Sequence, residues 1–490
     1  MVAAILLPMG AACVAILVRG YAARIALVTA LLTAAVSVVT AIAVVRNGPL
    51  EYAMGGWRAP LGITLRVDGL SSLMLLLSAS VAVPVFVYAA AHYARARSDE
   101  RQGADFWPLA LLLWGGLNGV FLSGDVFNQY VAVELTSLAA VALVTLGEGD
   151  AALSAALRYL LSTFAASMFY LLGVGHLYAV AGTLDIPSLA GTLEAEAASY
   201  SAAALITVAL LFKSALFPLH FWLPRAHSAA PSQVSALLSS LVVTSAAYLF
   251  LRLWTTVFVS VAVPVVGQII GGLGACAIVW GSLQALRQQR LKVMIAYSTV
   301  AQMGYLFLVV PLVTSALSTP GGGALWGETA WSGGVYHAIA HALAKAALFL
   351  SAGVIVGAIG TDKIVGISGI ARQLPVATYA FGIASMSLIG LPPSGGFVAK
   401  WMLLTAAFKS GQWWWAIAIA AGGLLTAGYV FLVLGQGLSQ ASSDRDVELK
   451  STSKAIEYSA FALAVAALAL GVRVAEPLAL LRVGLPIEMP

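Results

Sequence analysis

Six ionisable side chains stand in stretches otherwise suited to a lipid interior: Glu134, Lys213, His337, His341, Lys345 and Lys400. Lys213 follows the apolar run Ala202 to Leu211, and Pro218 comes five residues later, with His220 just beyond. An ammonium at bilayer depth costs about 2.5–3.5 kcal/mol on insertion scales, so such residues usually face a protein interior or a water-filled path. The proline frees a backbone carbonyl one turn earlier, which membranes tolerate where a broken helix lines a cavity. Lys213 is therefore a candidate for ion handling.

Glu134, in FNQYVAVELTSLAAVAL, is the one carboxylate placed well inside an expected span, whereas Asp125 sits at that span's mouth. A lone buried carboxyl tends to take up a proton, but a nearby lysine keeps both groups charged at lower combined cost. Glu134 and Lys213 are thus the expected pair, the alternative being a static ion pair that fixes helix packing. In HAIAHALAKAALF, His337, His341 and Lys345 recur every four residues and share one helix face, rising about 6 Å per rung. Histidine titrates near neutrality and passes a proton between its nitrogens, so the ladder reads as a proton wire. HxxxH is also a metal-ligand spacing, but there is no HExxH glutamate and no adjacent Cys or Asp, so no metal is assigned. Histidines bonded to backbone are the structural alternative.

Lys400 completes a pattern. ASMSLIGLPPSGGFVAKWMLL places Pro392 and Pro393 in mid-span, then two glycines, then the lysine, so this is a second broken helix. Interrupted spans in corresponding places of two halves signal an inverted repeat, with Lys213 on the seventh span and Lys400 on the twelfth.

The elements that position these groups follow from composition. Hydrophobic residues make up 61% and charged residues 9% of the 490 residues, and mean hydropathy is +0.95, which excludes a soluble domain. Fourteen spans are expected: Val2–Val18, Arg24–Val45, Gly69–Tyr93, Phe106–Ser123, Val126–Leu146, Leu153–Val180, Ala202–His220, Gln233–Trp254, Val257–Leu283, Val293–Leu312, Gly333–Ile359, Val376–Leu404, Trp413–Leu434 and Ile456–Val472. The expected fold is an all-α polytopic membrane protein with two inverted five-helix repeats, each containing a broken helix. Its expected divisions are 1–105 (N-terminal helices with an external hairpin), 106–255 (spans 4–8), 256–435 (spans 9–13) and 436–490 (a cytoplasmic loop and the last span). The first run lacks a basic leader region and reads as a retained helix. The Gly- and Pro-rich stretch Glu51 to Arg66 reads as the hairpin.

With the N-terminus outside, fifteen of the 25 basic residues fall on inner loops, including Arg97, Arg290, Lys292 and Arg445. Seven fall outside, among them Arg66 and Arg252, and only Lys213, Lys345 and Lys400 remain as intramembrane cations. Both termini are therefore expected outside. The isoelectric point of 9.1 reflects dispersed loop residues, which excludes a nucleic-acid surface. Cys13 and Cys276 lie in apolar runs and read as buried thiols, with no disulfide or metal framework.

Taken together, the motifs GGWRAPLGITLRVDGLSSLML, DVFNQYVAVEL, FKSALFPLHFWLPRAH, LKVMIAYSTVAQMGYL, HALAKAALFL and GLPPSGGFVAKW cover nearly the whole chain. On these residues the chain resembles the antiporter-like membrane subunits of respiratory complex I, membrane-bound hydrogenases and Mrp-type sodium/proton antiporters, and most closely the D-type member of the Mrp antiporters. The resemblance implies that Glu134 modulates Lys213 and that protons pass through the eighth and eleventh spans, by His341 and Lys345, to Lys400. It also implies other integral-membrane subunits as partners, protons and in second place sodium as cargo, a bacterial or archaeal cell membrane, and no cofactor. A lysine suits such work because burial disfavours its ammonium while an approaching carboxylate favours it.

The chain departs from the family pattern in the eighth span, SQVSALLSSLVVTSAAYLFLRLW, where a lysine or histidine is usual and Ser245, beside Thr244, stands instead. Arg290 likewise stands where an acid is common, and the chain ends at Pro490 without a long lateral helix. Three readings follow. The first is a proton-conducting subunit of an Mrp-type antiporter. The second is the pump module of a complex I-like or hydrogenase-type redox assembly, with all redox chemistry elsewhere because the chain has no cofactor motif. The third is a weakly conducting scaffold subunit.

Overall fold

The computed structural model describes residues 1–95, 100–319, 324–439, 450 and 452–485. Arg97, Arg445 and the segment 440–449 of the expected cytoplasmic loop lie outside the described residues.

Apolar runs in lipid must satisfy their own backbone amides, which selects helix. The first group is α1 (Val2–Leu17), α2 (Ala22–Asn47), α3 (Gly69–Tyr93), α4 (Glu100–Leu122), α5 (Val126–Val144), α6 (Gly149–Ala181) and the short α7 (Ile186–Thr192). Next come α8 (Ala197–Lys213), α9 (Leu223–Ala229), α10 (Ser232–Leu237), α11 (Val243–Thr256), α12 (Pro264–Leu286), α13 (Leu291–Phe307) and α14 (Val309–Leu317). The chain continues with α15 (Ala324–Ile359), the short α16 (Ile370–Gln373), α17 (Pro375–Ile389), α18 (Gly395–Lys409), α19 (Trp414–Leu438), α20 (Lys454–Ala469) and α21 (Ala475–Leu481). Strands β1 (Leu50–Ala53) and β2 (Thr64–Val67) pair antiparallel, Leu50 opposite Val67, and form the expected hairpin.

Among the described residues, ten helical segments are long and apolar enough to cross a membrane, and α1, α8 and α17 are shorter apolar helices. With α8–α9, α10–α11, α13–α14 and α17–α18 each taken as one interrupted crossing and α7, α16 and α21 as short surface pieces, the fourteen expected spans are all present. The packing repeats: α4 lies on α5 as α12 lies on α13, and α6 lies on α8 as α15 lies on α17 and α18. The core forms around α15, which touches α3, α10, α13, α14, α17, α18 and α20. Its 36 residues span about 54 Å at 1.5 Å each. It begins nine residues before the expected Gly333, because Trp326, Glu328 and Thr329 mask the helix start in a hydropathy reading.

Local chemistry sets the ends near the site. Asp125 caps α5 by accepting from Asn128 N at 2.7 Å, and Ser394 caps α18 by accepting from Phe397 N at 3.2 Å. Gly390, at φ 90°, ends α17 in the left-handed region that glycine enters without a Cβ penalty.

Two expectations fail. Cys13 and Cys276 are exposed on the outer faces of their helices; a helix whose surroundings are lipid is apolar all round, so an apolar run does not reveal which face is buried. Arg252 is in α11, buried, and not in an outer loop: its guanidinium clasps Asp68, with Nη2 at 2.8 Å from Oδ1 and 2.9 Å from the Ser71 hydroxyl. Lys292 is likewise buried in the first turn of α13, donating to the Ala230 carbonyl. The buried cations therefore outnumber the three expected, and Asp68, 1% exposed at the start of α3, is a buried carboxylate paired with one of them.

Candidate functional site

Lys213 is the last residue of α8, where the helix breaks before Pro218. The break over 214–222 leaves carbonyls of the last turn to other donors: the indole of Trp222 donates to Phe212 O at 3.2 Å, and Trp222 itself stacks on Tyr159 at 4.3 Å. Ala215 occupies φ 52°, the left-handed region, which turns the chain directly after the lysine. The Lys213 ammonium donates to Glu134 Oε1 at 2.9 Å and to the Ser137 hydroxyl at 3.0 Å. Glu134 and Ser137 share one face of α5, three residues apart, and the Ser167 hydroxyl of α6 also bonds the carboxylate. The lysine is 5% exposed and the glutamate 22%, so the pair sits at the edge of the helical bundle with its cation inward.

On the inward side, Lys213 lines a cavity of about 10 Å³ with Thr136, Ser137, Tyr159, Thr163 and Ser245. That volume is roughly one water molecule. The eighth span is not a continuous α-helix there. Residues Leu238–Val242 form a turn of π-helix between α10 and α11, an irregularity that frees backbone groups and recurs at functional sites. Val242 faces the Lys213 cavity. On the far side, the Ser239 hydroxyl hydrogen-bonds Thr299 of α13 at 2.8 Å, and the Ser239 backbone faces His341. Ser245 turns its hydroxyl to Val242 O at 2.7 Å, while the buried Thr244 hydroxyl has no partner among the described residues.

His337, His341 and Lys345 do lie along one face of α15, all buried. The two imidazoles are 6.3 Å apart between ring centres. His337 Nε2 is 3.1 Å from Gln302 O, and among the described residues neither nitrogen of His341 makes a well-formed hydrogen bond. Lys345 donates to Ile295 O at 3.0 Å and to the Ser298 hydroxyl. No carboxylate pairs with it among the described residues.

At the second break, Pro392 and Pro393 occupy the turn between α17 and α18. Lys400 reaches back across that turn and donates to Leu388 O at 2.7 Å and Ile389 O at 3.1 Å. Gly390 and Gly396 permit this fold-back. A Cβ on Gly390 would lie 2.8 Å from the lysine stem, and one on Gly396 would lie 1.8 Å from Ser387 O. The ammonium also sits 4.3 Å over the ring centre of Tyr305, whose ring is 5.1 Å from His337.

The structure thus brings Glu134 to Lys213, and His337 to His341, and links His337 to Lys400 through one aromatic ring. Among the described residues it places no ionisable group between Lys213 and His341, where Ser245 and the π-turn stand. Sequence reasoning missed Ser298, Gln302 and Tyr305, although their i, i+4, i+7 spacing on α13 marks a polar stripe facing α15. It also missed Ser137, three residues from Glu134 on α5, and Ser167 of α6, which no sequence spacing links to that carboxylate. Larger cavities open elsewhere, among them one of about 910 Å³ lined by Glu148, Arg225, Arg290, Lys292 and Asp362 and one of about 560 Å³ reaching Asp68 and Arg252. Arg290 pairs there with Asp362 at 2.7 Å. Among the described residues no cluster of His, Cys, Asp or Glu could hold a metal ion.

Comparison with known proteins agrees with the fold. The chain is 38% identical over 404 residues, 81% of its own length and 77% of the relative's, to the N-type subunit of the NADH-quinone oxidoreductase of Desulforudis audaxviator. It is 32% identical over 394 residues, 80% and 76% of the two chains, to the D-type subunit of the Na(+)/H(+) antiporter of Alkalihalophilus pseudofirmus. A chain of the Mrp complex of Dietzia sp. DQ12-45-1b superposes with a TM-score of 0.85 at 26% identity, covering 97% of this chain and 94% of that one. The model of the family described as "NADH:quinone oxidoreductase/Mrp antiporter, TM" matches residues 123–426, a stretch that contains every one of the buried lysines and histidines above, and the chain belongs to that family of membrane proteins.

Proposed function

We propose that the chain is the ion-translocating, proton-conducting subunit of an Mrp-type sodium/proton antiporter, working beside other integral-membrane subunits. The observation that carries the reading is the buried line of proton-exchanging groups from Glu134 and Lys213, across the π-turn, along His341, Lys345 and His337, to Lys400. In this path Glu134 loads Lys213 when the two are close and releases its proton when they separate, because a neighbouring carboxylate favours the ammonium. The step over the eighth span runs through hydroxyls and water at Ser245 and Thr244, a neutral bridge that passes a proton without storing it. Pro218, Pro392 and Pro393 keep the two breaks open, and at the second of them Lys400 meets the free carbonyls of Leu388 and Ile389. The repeats carrying the path are 106–255 and 256–435, set in a bacterial or archaeal cell membrane with both termini outside. The excess of basic residues on the inner loops supports that orientation.

A second reading, the pump module of a redox complex, is favoured by the 38% identity to a relative named as an NADH-quinone oxidoreductase subunit. Purification of the tagged chain from its native membrane separates the two. Membrane subunits alone identify an antiporter, and co-purifying iron–sulfur proteins identify the redox assembly.

A further inference from the structure

Among the described residues no carboxylate pairs with the buried Lys400, whereas Lys213 has Glu134. What faces its ammonium instead is neutral but oriented. The carbonyls of Leu388 and Ile389 belong to the C-terminal end of α17, where unsatisfied C=O groups concentrate the negative pole of the helix. The opposite side is closed by the ring of Tyr305 at 4.3 Å, a distance at which the negative face of an aromatic ring attracts a cation.

We propose that Tyr305 is a positioning residue whose ring face, together with the end of α17, replaces a carboxylate as the counter-group of Lys400. The proposal rests on the proton path described above and adds to it the means by which its far lysine holds a charge. Two features hold the ring in place. Gly422 of α19 leaves the space that the Tyr305 hydroxyl fills, since a Cβ there would lie 2.2 Å from it, and the hydroxyl donates to Ile419 O at 3.3 Å. The ring is therefore fixed at its far edge while its face stays open to the ammonium. A neutral counter-group has a mechanistic consequence: it favours the cation without offering a carboxylate that could take the proton, so the proton leaves only towards His337 or out of the site.

The ionisable groups that face Lys400 are few. Tyr305 comes from α13 and His337 from α15, and Tyr429 of α19 lies beside Tyr305. Helices α14 and α17 carry no charged residue, and the charged residues of α20, Lys454 and Glu457, are in its first turn. That turn is remote, because α20 meets the start of α18 through Ala467 and Leu470 at its other end.

The test measures ion exchange against pH in everted vesicles carrying the whole native assembly, with wild type, Tyr305→Phe, Tyr305→Leu and Lys400→Ala compared at matched membrane abundance. Tyr305→Leu removes the ring face and is expected to move the alkaline limb of the profile towards acid by about one pH unit. Tyr305→Phe keeps the face and is expected to hold the wild-type midpoint. An unmoved midpoint in Tyr305→Leu, or an equal displacement in both variants, overturns the proposal; the latter outcome assigns the role to the hydroxyl. A packing defect lowers exchange at every pH without moving the midpoint, and so also counts against it. Wild-type exchange by Lys400→Ala would instead overturn the proton path itself, which keeps the two failures distinct.

Discussion

Neutralising Glu134 and Lys213 together distinguishes a pair that handles protons from one that merely holds helices in place. Glu134→Gln leaves the Lys213 ammonium without its counter-charge, and Lys213→Met leaves the carboxylate with the Ser167 hydroxyl but without its cation. Removing one member of a buried pair costs about 3–5 kcal/mol because the other charge is stranded. Glu134 is 22% exposed, which places each single variant near the lower figure, about 3 kcal/mol. The double variant strands no charge and should recover roughly 2 of those kcal/mol, since neutral replacement of an ion pair is often close to energetically neutral. Two readouts are needed on the same membranes: thermal stability of the solubilised assembly, and sodium- or proton-driven exchange in everted vesicles. The expected result is that the double variant regains stability and stays inactive, because no exchangeable proton remains at the head of the path. Recovery of exchange along with stability would refute the reasoning and leave a structural ion pair.

Two other perturbations follow. Arg252→Leu leaves Asp68 buried and unpaired and is expected to destabilise the protein by about 3–5 kcal/mol, seen as lost membrane abundance; unchanged abundance would mean that the Asp68 carboxyl is met by other groups. Ser245→Ala removes the hydroxyl beside the Lys213 cavity and should slow exchange about tenfold, the equivalent of one hydrogen bond, with assembly intact. Full exchange in that variant would mean that protons do not cross the eighth span there and would favour the scaffold reading.

The lone cations were legible because an ammonium has no bland role in an apolar run, and the broken helices were legible because Pro218 and the Pro392–Pro393 pair have no place in a continuous one. Other features were hidden for physical reasons. Arg252 lies near a helix end, where hydropathy cannot separate a loop arginine from one turned inward to Asp68. Cys13 and Cys276 were misjudged because lipid erases the polar face that marks exposure in a soluble helix. The π-turn at 238–242 leaves no compositional trace, since Leu, Ser and Val suit an α-helix as well. Tyr305 was visible only as an aromatic residue; its meaning came from the approach of Lys400 across the fold-back that Gly390 and Gly396 allow.

The central claim is that protons cross this chain along the middle of α15, and Lys345 tests it most directly. It is fully buried, and among the described residues its ammonium meets only Ile295 O and the Ser298 hydroxyl, so Lys345→Ala leaves no described carboxylate stranded. Exchange measured in everted vesicles carrying the complete native assembly should fall to background with that variant while its subunits still co-purify. Wild-type exchange by the Lys345→Ala assembly would contradict the account.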